Sequence, residues 1–177
     1  SIIKPSSLVI KMVIQQSPLV TVCIPVFNGE NYISECINSV LEQSYSNFEL
    51  LILDNCSTDS TPTIIEKFDD SRINYVRNEI NIGSERNFAR GVELAGGEYF
   101  VLLPHDDLLL PECLMRFVDR FEDSSVGFVY SSIRVINADG ETIYAKINHK
   151  ENRLFTCEET INDVVDFFMP IQLAMAR

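Results

Sequence analysis

Apolar runs and helix-like segments alternate through the first half of the chain. Leu19 to Phe27 is a nearly continuous apolar run rich in β-branched residues, which is typical of a strand buried on both faces. From Glu30 to Gln43 the apolar residues recur at helical spacing, which predicts a helix with one face packed on a sheet. Phe48 to Leu53 predicts a second buried strand.

The same alternation continues through two more strands. Pro62 suits the first turn of a short helix, whose inward residues are predicted to be Ile64, Ile65 and Phe68. Ile73 to Arg77 is the third predicted strand. Ser84 can cap the next helix, which ends at Gly96-Gly97 and has a predicted inward face of Phe88, Val92 and Ala95. Phe100 to Leu103 is the fourth predicted strand.

The second half departs from this rhythm. A helix is predicted after Pro111, with inward residues Leu114, Phe117, Val118 and Phe121. Val126 to Ile136 and Glu141 to Ile147, joined by the turn Ala138-Asp139-Gly140, predict a hairpin. A further helix would carry Ile161, Val164, Val165 and Phe168. Met169 to Arg177 is strand-like, and the fold is expected to be truncated there.

This order of elements predicts an α/β fold with a mostly parallel sheet flanked by helices. We expect one domain over residues 18–177, with residues 1–17 as an irregular leader. In such sheets, ligands bind at the carboxyl ends of the strands. Three polar clusters follow predicted strands and should meet at that edge: Asn28-Gly29, Asp54-Asn55 and His105-Asp106-Asp107.

Composition excludes several classes of function. The net charge of -12 argues against nucleic acid as a partner, because binding to phosphate backbones needs concentrated Lys and Arg. Five cysteines without paired short spacing suggest neither a disulfide framework nor a zinc site. No membrane-spanning run or cleaved signal is recognisable, which favours a cytoplasmic location. The sequence contains no Walker loop, Gly-x-Gly-x-x-Gly turn or Gly-x-Ser-x-Gly elbow.

Asp106 and Asp107 stand where an apolar strand ends. Burying a charge is costly unless it is paired or holds a metal, so the pair indicates either a surface turn or a cation site. Carboxylate oxygens suit hard cations such as Mg²⁺ or Mn²⁺, which are usually held by one or two carboxylates together with substrate phosphates.

The other polar positions each allow two interpretations. Asp54 and Asn55 could contact a base or ribose, or could serve as turn and cap residues. Phe27 could stack on a planar ring or belong to the core. Arg86 and His105 could reach phosphate groups, or could be a surface arginine and a turn histidine. Local capping is the favoured role of Ser57, Thr58 and Asp59.

Three segments together resemble a known family: VTVCIPVFNGENYISECINSVLEQSY, FELLILDNCSTDST and NEINIGSERNFARGVELAGGEYFVLLPHDDLLLPECL. They are similar, in order and spacing from Pro18 to Phe121, to the family-two inverting nucleotide-sugar glycosyltransferases with the GT-A fold. This resemblance implies that Pro25, Phe27 and Asn28 lie at the nucleotide base. It also places Asp54 and Asn55 on the family's pair of acidic residues that contact base and ribose.

By the same resemblance, Pro104 to Asp107 lies on the family's Asp-x-Asp metal motif. The metal ligand falls on Asp106, with Asp107 as the neighbouring acid. Two positions depart from the pattern: Pro104 replaces the first aspartate, so a ribose contact there would have to come from His105, and Asn55 replaces an acid. The family's catalytic base, a later carboxylate, has no match before Arg177.

The implied activity is inverting, metal-assisted transfer of a sugar from a UDP- or dTDP-sugar to a hydroxyl of a carbohydrate or lipid-linked acceptor. Cell-envelope polysaccharide synthesis at the inner face of the membrane would fit it. Peripheral membrane association and a homo-oligomeric state are both compatible with this activity. Two alternatives are a non-catalytic nucleotide-sugar-binding module of the same fold, and a nucleotidyltransferase, although the glycine-rich basic loop of the latter is absent.

Overall fold

A computed structural model describes residues 17–137, 140–146 and 174–176 of the chain. Within these residues the helices are α1 Ile33–Leu41, α2 Thr61–Ile65, α3 Ser84–Leu94 and α4 Cys113–Arg120. The strands in the same ranges are β1 Val20–Val26, β2 Phe48–Asp54, β3 Ile73–Arg77, β4 Tyr99–Leu102, β5 Phe128–Tyr130, β6 Ile133–Ile136, β7 Thr142–Lys146 and β8 Ala174–Ala176. The predicted alternation of strand and helix from β1 to β4 is confirmed, with boundaries shifted by a few residues.

Six strands form the main sheet in the order β3-β2-β1-β4-β8-β5. The first four are parallel, so each helix between them is a crossover, and their carboxyl ends lie at one edge. Strand β8 is antiparallel to both β4 and β5. The fold is therefore the mostly parallel, helix-flanked sheet that the sequence predicts.

The core lies between the sheet and α1 with α4. Strands β1 and β2 are buried along almost their whole length, as expected for central parallel strands covered on both faces. Helix α1 contributes Ile33, Cys36, Ile37 and Val40, and α4 contributes Leu114 and Phe117. The predicted apolar faces of these two helices are thus confirmed at these positions.

The predicted inward face of α3 is wrong at Val92 and correct at Phe88, which packs edge-on against Phe100 of β4. The buried residues of α3 are Asn87 and Gly91, whereas Val92 is 52% exposed. Gly91 packs so closely on Cys23 that a Cβ added there would lie 2.6 Å from its Sγ atom. The predicted cap is also displaced, because Gly83 occupies the cap position with φ 85° and Ser84 is already helical.

The hairpin prediction is correct only in its second part. Strands β6 and β7 pair antiparallel with a bulge near Val135, but β5 leaves that ribbon and joins the main sheet beside β8. The strand predicted for Met169 to Arg177 is found at β8. The helix expected around Ile161 to Phe168 and the leader up to residue 16 lie outside the described residues.

The helices are short. Among the residues that the structure describes, no helix combines the length and the apolar composition that crossing a bilayer requires.

Candidate functional site

Two loops at the carboxyl edge of the sheet are hydrogen-bonded to each other. The backbone N–H of Asn28, in the β1–α1 loop, donates to Ser57 Oγ at 2.9 Å, and Thr58 N–H in the β2–α2 loop donates back to Asn28 Oδ1 at 2.8 Å. Asn28 has φ 55°, a left-handed conformation that asparagine tolerates better than most residues. The two loops therefore form one continuous surface.

A second set of bonds joins the same loops further along. Glu30 N–H donates to Asp59 Oδ2 at 3.1 Å, and Ser60 N–H donates to Glu30 Oε2 at 2.9 Å. Gly29 N–H donates to Thr61 Oγ1 at 2.8 Å. Local capping, the predicted role of the Ser57–Asp59 stretch, accounts only for the bond from Thr61 N–H to Asp59 Oδ1. The main role of this stretch is to bind the neighbouring loop.

Asp54, at the end of β2, is completely enclosed. Its side chain is 0% exposed, and it accepts hydrogen bonds from Ser57 N–H and Tyr75 Oη, both at 2.8 Å. Arg77 Nε lies 3.2 Å from its Oδ2 atom. Burial, followed by Asp54, raises the pKa of Tyr75 above its ordinary value. Both carboxylate oxygens thus bind protein groups, which stabilises a buried charge.

Asn55 is nearly as buried, at 4% exposed. Its Oδ1 atom accepts from Asn78 Nδ2 and from Ile82 N–H, both at 2.9 Å. Its Nδ2 group donates to Asn81 Oδ1 at 2.9 Å. The structure therefore places Asp54 and Asn55 at the predicted edge, with their side chains directed into the protein.

Three other predicted residues face outward. Phe27 is 44% exposed, so the interpretation of Phe27 as a core residue is wrong. Asn28 is exposed, and Pro25, three residues earlier in β1, is half-buried. Arg86 is exposed on the first turn of α3, the helix that begins beyond the end of β3. An aromatic ring and a guanidinium group are thus available at the carboxyl edge.

The turn that follows β4 carries the predicted metal residues. Asp107 N–H donates to Pro104 O at 3.1 Å, which closes the turn. His105 packs on the β1–α1 loop, since a Cβ added at Gly29 would lie 2.6 Å from its Cδ2 atom. Glycine at position 29 therefore allows the two loops to come into contact, and brings His105 beside the Phe27-Asn28 segment.

The two adjacent carboxylates repel each other. Asp106 is exposed and Asp107 is half-buried, and burial followed by the charge of Asp106 raises the pKa of Asp107 to about 6. Burial, then Asp107 and Asp106, raises the pKa of the Cys36 thiol, whose Sγ donates to Pro104 O at 3.5 Å. No described lysine or arginine forms a salt bridge with either aspartate.

These groups match the needs of a cation bound together with a ligand. Within the described part of the chain, no three His, Cys, Asp or Glu side chains are grouped to hold a metal by themselves. The protein thus offers the Asp106-Asp107 pair, which fits Mg²⁺ or Mn²⁺, since these ions complete their coordination with water and phosphate oxygens.

Two polar residues that the sequence interpretation missed hold the segment after the aspartates: Ser39 in α1, and Gln43 two residues beyond the end of that helix. Ser39 Oγ accepts from Leu109 N–H at 3.1 Å. Gln43 is 7% exposed, donates to Leu110 O at 2.8 Å and accepts from Leu114 N–H at 3.1 Å. Gln43 stands at the end of the helix that the sequence predicts from Glu30 to Gln43, and no local pattern there indicates this contact.

A mostly parallel sheet with polar loops joined at its carboxyl edge belongs to the class of α/β domains that bind ligands there. The sequence profile of Glycosyl transferase family 2 matches residues 21–173, so the chain belongs to this family. The chain has the GT-A fold, as the resemblance predicts.

Three known proteins show the extent of the similarity. The Escherichia coli UDP-Glc:alpha-D-GlcNAc-diphosphoundecaprenol beta-1,3-glucosyltransferase WfgD is 33% identical over 67% of this chain and 47% of its own length. Staphylococcus aureus TarS in complex with UDP superposes with a TM-score of 0.63 and 26% identity, covering 67% of this chain and 36% of TarS. The mannosyltransferase PcManGT of Pyrobaculum calidifontis, in complex with GDP-Man and Mn²⁺, gives a TM-score of 0.62 and 27% identity over 68% of this chain and 37% of its own.

The matched region is only part of these relatives. The chain spans about half or less of the length of the curated relatives it matches, from 38% to 54% in the first four.

Proposed function

We propose that this domain binds a nucleoside diphosphate sugar at the carboxyl edge of its sheet and transfers the sugar, with inversion, to an acceptor hydroxyl. The observation that carries the proposal is the contact between Gly29 and His105, which joins the loop bearing the exposed Phe27 ring to the turn bearing Asp106 and Asp107. An apolar ring surface beside clustered carboxylates is complementary to a nucleobase and a metal-bound diphosphate.

We assign the base to the surface formed by Pro25, Phe27 and Asn28, where the Phe27 ring offers a face for stacking. Asp54 and Asn55 belong to this part of the site too, but support its loops from below, because their side-chain atoms bind protein groups.

Arg86 and His105 are assigned to the phosphates. A guanidinium group on the first turn of a helix adds its charge to the positive end of the helix dipole. The resemblance favours donors of the UDP or dTDP type, and the complexes of TarS with UDP and of PcManGT with GDP-Man support a nucleoside diphosphate.

Asp106, assisted by Asp107, would hold Mn²⁺ or Mg²⁺. Such an ion supplies charge neutralisation for a departing diphosphate. The two aspartates are adjacent in one turn, and the Mn²⁺ complex of PcManGT supports the use of a divalent metal.

The acceptor side is proposed from the relatives. WfgD takes its name from a lipid-linked acceptor, which supports a carbohydrate or lipid-linked acceptor and a role in cell-envelope polysaccharide synthesis. We place the protein in the cytoplasm at the inner face of the membrane, with which it would associate peripherally. A homo-oligomer is compatible with this location. A carboxylate would deprotonate the acceptor hydroxyl. Among the described residues we assign this role to none.

Calorimetric titration of UDP, dTDP and GDP, with and without Mn²⁺, tests the donor site. We expect metal-dependent binding that Asp106→Asn weakens by about tenfold or more, because the cation loses a carboxylate ligand. Asp119→Asn, which removes an exposed carboxylate from α4, is the matched control and should bind like the parent protein. Metal-independent binding, or unchanged binding by Asp106→Asn, would refute the assigned metal site.

The second candidate is a binding module without transfer activity, which Pro104 favours because it replaces a motif aspartate. A chain extended to the full length of its relatives separates the two. Hydrolysis of UDP-glucose or UDP-GlcNAc, measured as release of UDP, would support the transferase. Binding of both donors with no turnover supports the module.

A further inference from the structure

Four asparagines beneath the proposed site form a connected network of amides, which we call the asparagine network: Asn55, Asn78, Asn81 and Asn87. Asn78 Nδ2 donates to both Asn55 Oδ1 and Asn87 Oδ1, each at 2.9 Å. Asn55 Nδ2 donates to Asn81 Oδ1 at 2.9 Å, and Asn87 Nδ2 donates to Leu53 O at 3.0 Å. The network thus connects the ends of β2 and β3 with helix α3.

The asparagine network also accepts hydrogen bonds from backbone N–H groups of the loop between β3 and α3. Ile82 N–H donates to Asn55 Oδ1, and Gly83 N–H donates to Asn81 Oδ1, both at 2.9 Å. Asn78 Oδ1 accepts from Arg90 Nη1 on the second turn of α3. The loop, whose residues from Glu79 to Asn81 are exposed, is thereby fixed by side-chain amides.

The chemistry of the network requires amides. Asn55 must accept from Ile82 N–H and donate to Asn81 at the same time, which a carboxylate cannot do. Asn81 cannot compensate by rotating its amide, because its Oδ1 atom also accepts from Gly83 N–H. Asn55, Asn78 and Asn87 are at most 7% exposed, so an unsatisfied group in this network would be costly.

Gly83 lies between the network and α3. It has φ 85°, occupies the cap position, and its carbonyl accepts from Asn87 N–H at 3.1 Å in the first helical turn. Arg86 stands on that same turn, one residue before the buried Asn87. The bonds to Ile82 and Gly83 therefore determine where the helix starts and where the Arg86 side chain leaves it.

We propose that Asn55 and Asn81 are positioning residues that set the start of α3, and with it Arg86, for the phosphates of the donor. The inference rests on the proposed function, in which Arg86 faces those phosphates. Asn55, which replaces an acid of the family pattern, would thus affect donor binding through its hydrogen bonds to the loop before α3, and not by direct contact with the donor.

The test is a double-mutant cycle on UDP binding with Mn²⁺ present. We expect Asn81→Ala and Arg86→Ala each to weaken binding about tenfold, as for a charge-assisted contact. The double variant should be no weaker than Arg86→Ala alone, because Asn81 acts through Arg86. Asn81→Ser, whose hydroxyl can accept from Gly83 N–H, should recover much of the loss.

Asn47→Ala is the matched control, since it removes an exposed asparagine with one side-chain hydrogen bond at the opposite edge of the sheet. It should bind UDP like the parent protein. Unchanged binding by Asn81→Ala, or losses that multiply to about a hundredfold in the double variant, would overturn the positioning role while leaving the donor site intact. Absence of UDP binding by the parent protein would overturn the proposed function, and this inference with it.

Discussion

A single enclosed carboxylate shows at the residue scale how the carboxyl edge of the sheet is held together. Asp54 is fully buried, and its cation, Arg77, remains 47% exposed while also donating from Nη2 to Ser57 O at 2.7 Å. Forming such a pair contributes little net stability, because the carboxylate loses its hydration when it is buried. Removing one partner destabilises the protein strongly, because the charge of the other partner stays buried without an opposite charge beside it.

Arg77→Met is therefore expected to destabilise the protein by about 3 kcal/mol, since it leaves Asp54 buried without a cation. Arg116→Met is the matched control, because the pair of Arg116 with Glu112 is 76% and 67% exposed. Its change should be below about 0.5 kcal/mol. Urea unfolding of both variants measures the difference, and equal losses would show that Asp54 finds another partner.

The sequence locates Asp54, Asn55, Asp106 and Asp107 at strand ends, because apolar runs stop there. It does not reveal that Asp54 and Asn55 turn inward. Their partners, Tyr75, Arg77 and Asn78, lie at least 20 residues away along the chain, and only the parallel pairing of β2 with β3 brings them close.

Helix α3 shows at the element scale how close packing can override apolar periodicity. Of its predicted face, Phe88 contacts Phe100 in β4, but Val92 is exposed and the closest approach of the helix to the sheet is at Gly91. A Cβ at that position would lie 2.6 Å from Cys23 Sγ and 3.0 Å from Leu53 Cδ1. A hydrophobicity pattern measures the apolar area of a helix face, whereas the distance between helix and sheet depends on the smallest residue between them.

Gly91→Ala therefore has two opposing effects on the free energy of unfolding. Alanine gains about 1 kcal/mol of helix propensity, but overpacking a filled core costs about 1–3 kcal/mol. We expect a net loss of about 1 kcal/mol, measured by urea unfolding. In Cys23→Ala/Gly91→Ala the clash with Sγ is removed, so the double variant should be more stable than the sum of the single changes predicts. Strict additivity would contradict the close contact.

At the scale of the whole molecule, the chain has a net charge of -12, and we expect part of its stability to depend on ionised carboxylates. Asp70 lies in the turn before β3, where hydrogen bonds from Arg72 lower its pKa to about 2. Arg72 in turn lies over the Phe48 ring at 4.4 Å, at the start of β2. This ion pair thus connects the turn to the core strands.

The pH dependence follows from the direction of this shift. Between about pH 4, where the unfolded carboxyl titrates, and about pH 2, the unfolded state binds more protons, so the contribution of Asp70 is lost as the pH falls. Asp70→Asn should therefore be less stable than the parent by about 1 kcal/mol at pH 7, after allowance for the partly exposed pair, and nearly equal to it at pH 2.

Urea unfolding from pH 7 downward measures this convergence. Asp69→Asn is the matched control, because it removes the same charge from an exposed neighbouring position, and its difference from the parent should stay small throughout. A deficit of Asp70→Asn that persists at low pH would mean that shape, and not ionisation, accounts for the role of Asp70.

The sequence by itself determined the order of strands and helices up to α4, the parallel sheet, the family, and the edge at which the polar clusters meet. These features depend on local patterns: apolar runs, helical spacing, and turn residues at strand ends. Only the tertiary structure decided the inward direction of Asp54 and Asn55, the packing of α3 through Gly91, and the departure of β5 from the hairpin. Each of these features depends on contacts between residues that are distant along the chain. A local sequence pattern does not specify which distant residue a side chain will contact.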